Sequence, residues 1–227
     1  LRATGGGRWE WDVRGQQLGY AGRLYRRFGL RDTPDDGSSA LARLSLGSRA
    51  GRRWSREHHH PEDRRRLRAY LRSVLAGHEA TVQAEFRMLD DLGRWRWMLT
   101  RGHITQRDAR GRVLRLAGMV LDITEQRELR EALRASEVKY SIIYRTLPDA
   151  AGVTLLADGR YLDVNPAFER LVGLPRAQIV GRTSLELGVW AVPSERQRVL
   201  DALQRQGEAR GLPVTVRSGA DSVKGLM

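Results

Sequence analysis

Cysteine is absent from these 227 residues. That excludes disulfides, Cys-ligated zinc or iron–sulfur centres, thiol nucleophiles and any chromophore bonded to a thiol. Lysine is nearly absent too: Lys139 and Lys224 stand alone among 40 basic residues, so the positive charge is arginine. No apolar run approaches the ~20 residues of a membrane span, and no signal-peptide pattern opens the chain. No membrane contact is therefore expected in this stretch, and a cytoplasmic location fits. There is no Walker loop and no coherent Ser/His/Asp order, so no catalytic residue is proposed and the chain is read as non-enzymatic. It begins without Met and stops without a closing signal, which suggests a piece of a longer protein.

What is present in excess is arginine, for a net charge of +13. Nucleic-acid binding would need these cations on one face with stacking aromatics. Runs such as Arg64–Arg66 instead sit on helical stretches whose apolar stripe lies elsewhere, so solvated faces explain them and nucleic acid is disfavoured. His58, His59 and His60 point in different directions as consecutive side chains, and no second cluster has ligand spacing; no metal is expected. His60 before Pro61 reads as a helix-start residue.

The chain is organised around the junction Leu121-Asp122-Ile123-Thr124. An apolar strand ends there, and helix formers run from Glu125 without Gly or Pro until Pro148. Leu129, Leu133, Tyr140, Ile143 and Leu147 fall on alternating four- and three-residue steps, with Ser136 in the missing place, a heptad seam of about three repeats. Asp122 with Glu125, or Thr124 alone, supplies the acceptor that starts the helix.

Before the junction, Arg8–Val13 alternates as a strand, a second begins at Leu18, and Tyr25–Leu30 is a helical turn stopped at Gly29. Residues 31–57 read as a polar loop with one short helix around Ala40–Leu46. Pro61, Glu62 and Asp63 open an amphipathic helix whose stripe is Leu67, Tyr70, Leu71, Val74 and Leu75. In Thr81–Leu89 the even positions are apolar, Trp95, Trp97 and Leu99 share a face, and Val113–Ile123 completes an antiparallel meander. After Pro148, Asp158-Gly159 marks a hairpin, Asn165 caps a helix beginning at Pro166, and Ser194 with Gln197 reads as a capping box. A strand follows at Leu212, with the start of another at Ser222.

Trp9-Glu-Trp-Asp12, His60-Pro-Glu-Asp-Arg64, Arg94-Trp-Arg-Trp97 and Asp122-Ile-Thr-Glu125 resemble a PAS domain with its PAC strands. Asp163-Val-Asn-Pro-Ala-Phe168 with Ile179–Thr183 resembles a second. Residues 43–57 depart from the pattern, looking irregular where the family carries helices at the mouth of its pocket. The resemblance implies an α+β chain of two PAS-like folds, each a five-stranded antiparallel sheet with helices on one face. The first spans residues 1–123, an amphipathic linker helix spans 124–147, and the second spans 148–227 without its last strands.

The resemblance also implies a sensory module of a bacterial signalling protein, such as a sensor histidine kinase or diguanylate cyclase, although no GGDEF, EAL or kinase ATP-binding motif is present here. A small ligand would sit between sheet and helix, in a candidate pocket of Trp11, Phe28, Leu67, Tyr70, Leu71, Val74, Phe86 and Trp97. Asp122, Thr124, Leu129, Leu133, Tyr140 and Ile143 would transmit its effect, with a homodimer formed through the helix. The cofactor is left unknown. Haem held by a helix imidazole is disfavoured because Leu67–Leu75 and Val199–Leu203 carry no histidine, and a cysteine–flavin adduct is disfavoured without cysteine. The alternatives are a ligand-free docking or dimerisation module and a nucleic-acid-binding regulator.

Overall fold

A computed structural model describes residues 6–30, 41–79, 81–218 and 221–226. The chain divides into two compact units, Leu1–Ala132 and Leu133–Met227.

In the first unit, strands β1 (Gly6–Asp12) and β2 (Gln17–Ala21) lead into a 3₁₀ turn over Arg23–Phe28 that stops at left-handed Gly29. Strand β3 (Ala42–Ser45) and helices α1 (Arg49–His58) and α2 (Pro61–Leu75) precede β4 (Thr81–Leu89), β5 (Trp95–Arg107) and β6 (Val113–Asp122). The strands form one antiparallel sheet in the order β3-β2-β1-β6-β5-β4. It has six strands, one more than expected. The sixth is β3, paired to β2 through Leu18 opposite Leu44, in place of the short helix expected around Ala40–Leu46. Periodicity could not separate the two over so short an apolar run; residues 31–40 lie outside the described part. The next segment also differs from the loop expected there. Residues 49–58 are helical, because Ser48 accepts from Gly51 N at 3.0 Å and caps the turn. Trp54 anchors this helix by donating its indole N–H to the Phe28 carbonyl at 2.9 Å.

The meander's turns are built by aspartates. Asp90 accepts from Leu92 N and Arg94 N and pairs with Arg96 at 3.0 Å; Asp108 holds Arg110 N, Arg112 N and the Arg112 guanidinium in the same manner. Much arginine is thus tied to neighbouring carboxylates. On the inner face, Met98 and Leu116 are fully buried, and Val74 of α2 packs on Val82, Val113 and Leu116. Each such side chain contributes about 1.5–3 kcal/mol by leaving water. His60 is the α2 cap, its Nδ1 accepting from Glu62 N at 3.3 Å.

Helix α3 runs from Thr124 to Thr146. In the second unit, β7 (Gly152–Thr154) pairs with β8 (Tyr161–Val164), followed by α4 (Pro166–Val172), α5 (Arg176–Ile179) and α6 (Pro193–Gln206). Strands β9 (Pro213–Ser218) and β10 (Asp221–Leu226) form a second, separate pair, so the strand expected to start at Ser222 is a full partner of β9. Asn165 is fully buried and makes three bonds: Oδ1 accepts from Phe168 N and Ala151 N, and Nδ2 donates to the Asp149 carbonyl. Around it Tyr161, Val164, Phe168, Val172, Ile179 and Val189 form the core. The expected capping box at Ser194 is absent. Pro193 takes the first helical position, Val192 precedes it without a side-chain cap, and Glu195 instead accepts from Thr215 N of β9 at 2.6 Å.

Candidate functional site

Between the inner face of the first unit's sheet and α2 lies a cavity of about 260 Å³, lined almost wholly by apolar atoms. Its floor is unusual. Trp9 of β1 stands opposite Gly118 of β6, which stands opposite Gly102 of β5. A Cβ on Gly102 would sit 2.6 Å from Trp9 Cζ2, and one on Gly118 2.7 Å, so the indole lies in the space those side chains would take. The indole N–H groups of Trp9 and of its same-face neighbour Trp11 are buried with no acceptor among the described residues. Such donors normally find a partner, and leaving one unmade costs about 1–3 kcal/mol.

The opposite end is lined by Trp54, Ser55, His59 and Arg64. His59 stacks on Phe86 with centroids 5.4 Å apart and meets Trp54 edge-on. Its Nδ1 lies 3.0 Å from the Ser55 carbonyl, which can only accept, so that bond places the proton on Nδ1 and leaves Nε2 an acceptor. Burial lowers its pKa to about 4, outweighing the Ser55 bond, so the ring is neutral near pH 7. Burial likewise pushes the Tyr25 phenol up, with Tyr20 adding to the effect. Along the rim, Arg64, Leu67, Arg68 and Leu71 fall at helical spacing on α2.

Of the eight expected pocket residues, Trp11, Phe28, Leu67, Tyr70, Leu71 and Phe86 line this cavity. Val74 does not; it is sealed in the adjoining core. Trp97 does not either, because β5 turns Met98 and Thr100 inward and Trp97 to the other face. Missed were Trp9, Trp54, His59, Arg64 and Arg68. The two-residue step from Trp9 to Trp11, and the four-residue step from Arg64 to Arg68 beside Leu67 and Leu71, were available signals.

On the outer face, Trp97 is covered by guanidiniums from two directions in sequence. Arg127 of α3 lies 3.9 Å from its ring centroid and Arg87 of β4 lies 5.2 Å away. Arg127 pairs with Glu85 at 3.0 Å. Arg87 is held by Glu62 at 2.7 Å and Asp63 at 3.0 Å, both in the first turn of α2. Burial alone would raise the Asp63 carboxyl, but hydrogen bonds from the Arg87 side chain and backbone hold it below the usual range. The strand-to-helix junction joins this arrangement. Asp122 Oδ1 accepts from Thr124 N at 2.9 Å, Asp122 Oδ2 pairs with Arg27 at 3.3 Å, and buried Thr124 Oγ1 accepts from Trp97 N at 2.9 Å. Ile123 N donates to the Trp97 carbonyl at 2.8 Å, so both backbone groups of Trp97 are held by the junction.

Farther along α3, Leu129, Leu133, Tyr140 and Ile143 are exposed, at 65%, 61%, 68% and 46%. Among the described residues, no cluster of three His, Asp or Glu side chains could hold a metal ion, and no helix is long and apolar enough to cross a membrane.

Two profiles described as PAS fold match residues 47–120 and 144–210, together more than half of the chain. The chain belongs to the PAS family. Sensor protein FixL of Bradyrhizobium diazoefficiens is 25% identical over 183 residues, 80% of this chain and 33% of that protein. Two-component sensor PprA of Pseudomonas aeruginosa is 29% identical over 123 residues, 54% of this chain and 13% of that protein. The chain thus spans a third or less of these relatives. A sensory box histidine kinase/response regulator from Burkholderia thailandensis is 23% identical, with 61% of this chain and 92% of that one aligned at a TM-score of 0.45.

Proposed function

We propose that this chain is a non-catalytic sensory module of a cytoplasmic signalling protein, in which a small ligand held in the first unit alters helix α3 and its self-association. The two sensor relatives support the class. The observation that carries the relay is the contact path from the cavity's roof to the helix: Glu62 and Asp63 at the start of α2 grip Arg87, Arg87 and Arg127 share Trp97, and Arg127 belongs to the first turn of α3. A shift of α2 over an occupied cavity moves Arg87, and the shared indole carries that movement to Arg127. Leu129, Leu133, Tyr140 and Ile143 then provide the seam through which two copies meet, with the polar Ser136 position keeping the contact switchable. Ligand occupancy changes output only by differential affinity for the two arrangements.

The path is tested by hydrogen exchange at the Arg127 and Leu129 amides. Asp63→Asn loosens Arg87 and is expected to raise exchange there severalfold in the parent chain and to do little in a Trp97→Leu background. Equal exchange in the parent and Asp63→Asn proteins would remove the path.

A further inference from the structure

Two features of the cavity select a ligand by chemistry. At one end Trp9 and Trp11 line the wall, with their indole nitrogens buried within the protein. Along the rim, Arg64 and Arg68 line the opening; the Arg64 guanidinium donates to the Arg56 carbonyl at 3.3 Å, and neither arginine forms an ion pair with a carboxylate among the described residues. Several other arginines near the sheet are paired: Arg27, Arg87, Arg96, Arg112 and Arg127 each have an Asp or Glu within 3.3 Å. Between the two ends the wall is hydrocarbon and aromatic, from Leu67 and Leu71 to Met98 and Val120. Arg64 lies in the first turn of α2, and Tyr70, which packs against the same buried cluster as Trp9 and Trp11, lies six residues on.

We propose that the cavity takes a small amphipathic carboxylate: a single ring or short chain whose anionic head meets Arg64 and Arg68 and whose apolar body lies against Leu67, Leu71, Met98 and Val120. This rests on reading the cavity as a ligand site. The volume of about 260 Å³ lies below the roughly 300–1,000 Å³ of sites for drug-sized molecules, which suits one ring with a short side chain. A cation is rejected by the two guanidiniums. An apolar molecule fills the space but brings no anion to the two guanidiniums. The neutral His59 places no second cation inside, so the positive field stays at the rim.

Four probes of matched size test the anionic head: 3-(4-hydroxyphenyl)propionate, 3-phenylpropionate, 4-propylphenol and tyramine, each titrated calorimetrically into the whole chain. The two acids are expected to bind tightest. Loss of the carboxylate should weaken binding about tenfold, as charge-assisted pairs at the rim allow, loss of the phenolic oxygen should change it little, and tyramine should not bind measurably. The double variant Arg64→Gln/Arg68→Gln should bring the acid down to the level of 4-propylphenol while leaving 4-propylphenol itself unchanged. If 4-propylphenol matches the acid in the parent chain, the anionic class is wrong and the cavity still binds ligands. If no probe binds a protein with native circular dichroism, the ligand-site reading itself fails along with the proposal.

Discussion

Replacing Thr124 by Val tests the junction where sheet becomes helix. The substitution keeps the shape and removes one oxygen. That oxygen is buried and accepts from Trp97 N at 2.9 Å, so the variant leaves a strand N–H with no partner. The cost of an unmade buried donor is about 1–3 kcal/mol. Thr124→Ser is the control, because it keeps the acceptor and loses one methyl, worth about 0.8 kcal/mol. The readout is urea unfolding followed by tryptophan fluorescence, which reports chiefly the first unit since Trp9, Trp11, Trp54, Trp95 and Trp97 lie there and Trp190 alone lies beyond. With a slope of about 1–3 kcal/mol per molar urea, Thr124→Val should lower the midpoint by roughly 0.5–1.5 M at unchanged slope. The Trp97 amide should also exchange at least tenfold faster. A Val variant no less stable than the Ser variant would refute the bond's role.

Further outcomes follow from the same geometry. The Trp97→Leu and Arg127→Gln pair should show a coupling of about 0.5–1 kcal/mol in a double-mutant cycle, since Arg127 is half exposed; a coupling under about 0.3 kcal/mol would mean the stacking is incidental. Leu133→Asp should turn a dimeric chain into a monomer by light scattering, and an unchanged mass would remove the seam. His59 titrates near 4 when folded and near 6.5 when unfolded, so the unfolded chain gains its proton first as pH falls. Its contribution is complete above about pH 6.5 and is lost as pH falls to about 4. The parent should therefore lose about 1–2 kcal/mol more than His59→Gln between pH 7 and pH 5, and parallel losses would contradict the burial. Asn165→Ala should cost the second unit about 3 kcal/mol or more by removing three bonds at a fully buried site, read as faster proteolysis within residues 150–180.

Most of the fold was legible because its signals are local. Pro61 with Glu62 and Asp63, Asn165 with Pro166, and the glycine turns of the meander each carry their cause within a few residues. The segment 42–58 was not legible. Its four-residue strand owes its state to β2 alongside, and the Ser48 cap was hidden in a polar, arginine-rich run that resembles loop. The site was read by face. Leu67, Tyr70 and Leu71 came from one helical stripe, and Phe86 came from strand alternation. Trp97 was misplaced because aromatic bulk suggested an interior position, whereas register turns Met98 inward and leaves the indole to two guanidiniums. That relation joins residues far apart in sequence, and no spacing announces Arg87 and Arg127 as partners of one ring. The Gly102–Gly118 seat for Trp9 was hidden for the same reason.

The central claim is that occupancy of the first unit's cavity reaches helix α3. Its most direct test is hydrogen exchange at the Arg127 and Leu129 amides, with the cavity empty and then saturated by whichever phenyl probe binds tightest. The account predicts at least a threefold change in the parent chain and none in Trp97→Leu at equal saturation. A filled cavity with unchanged exchange in the parent chain would contradict it.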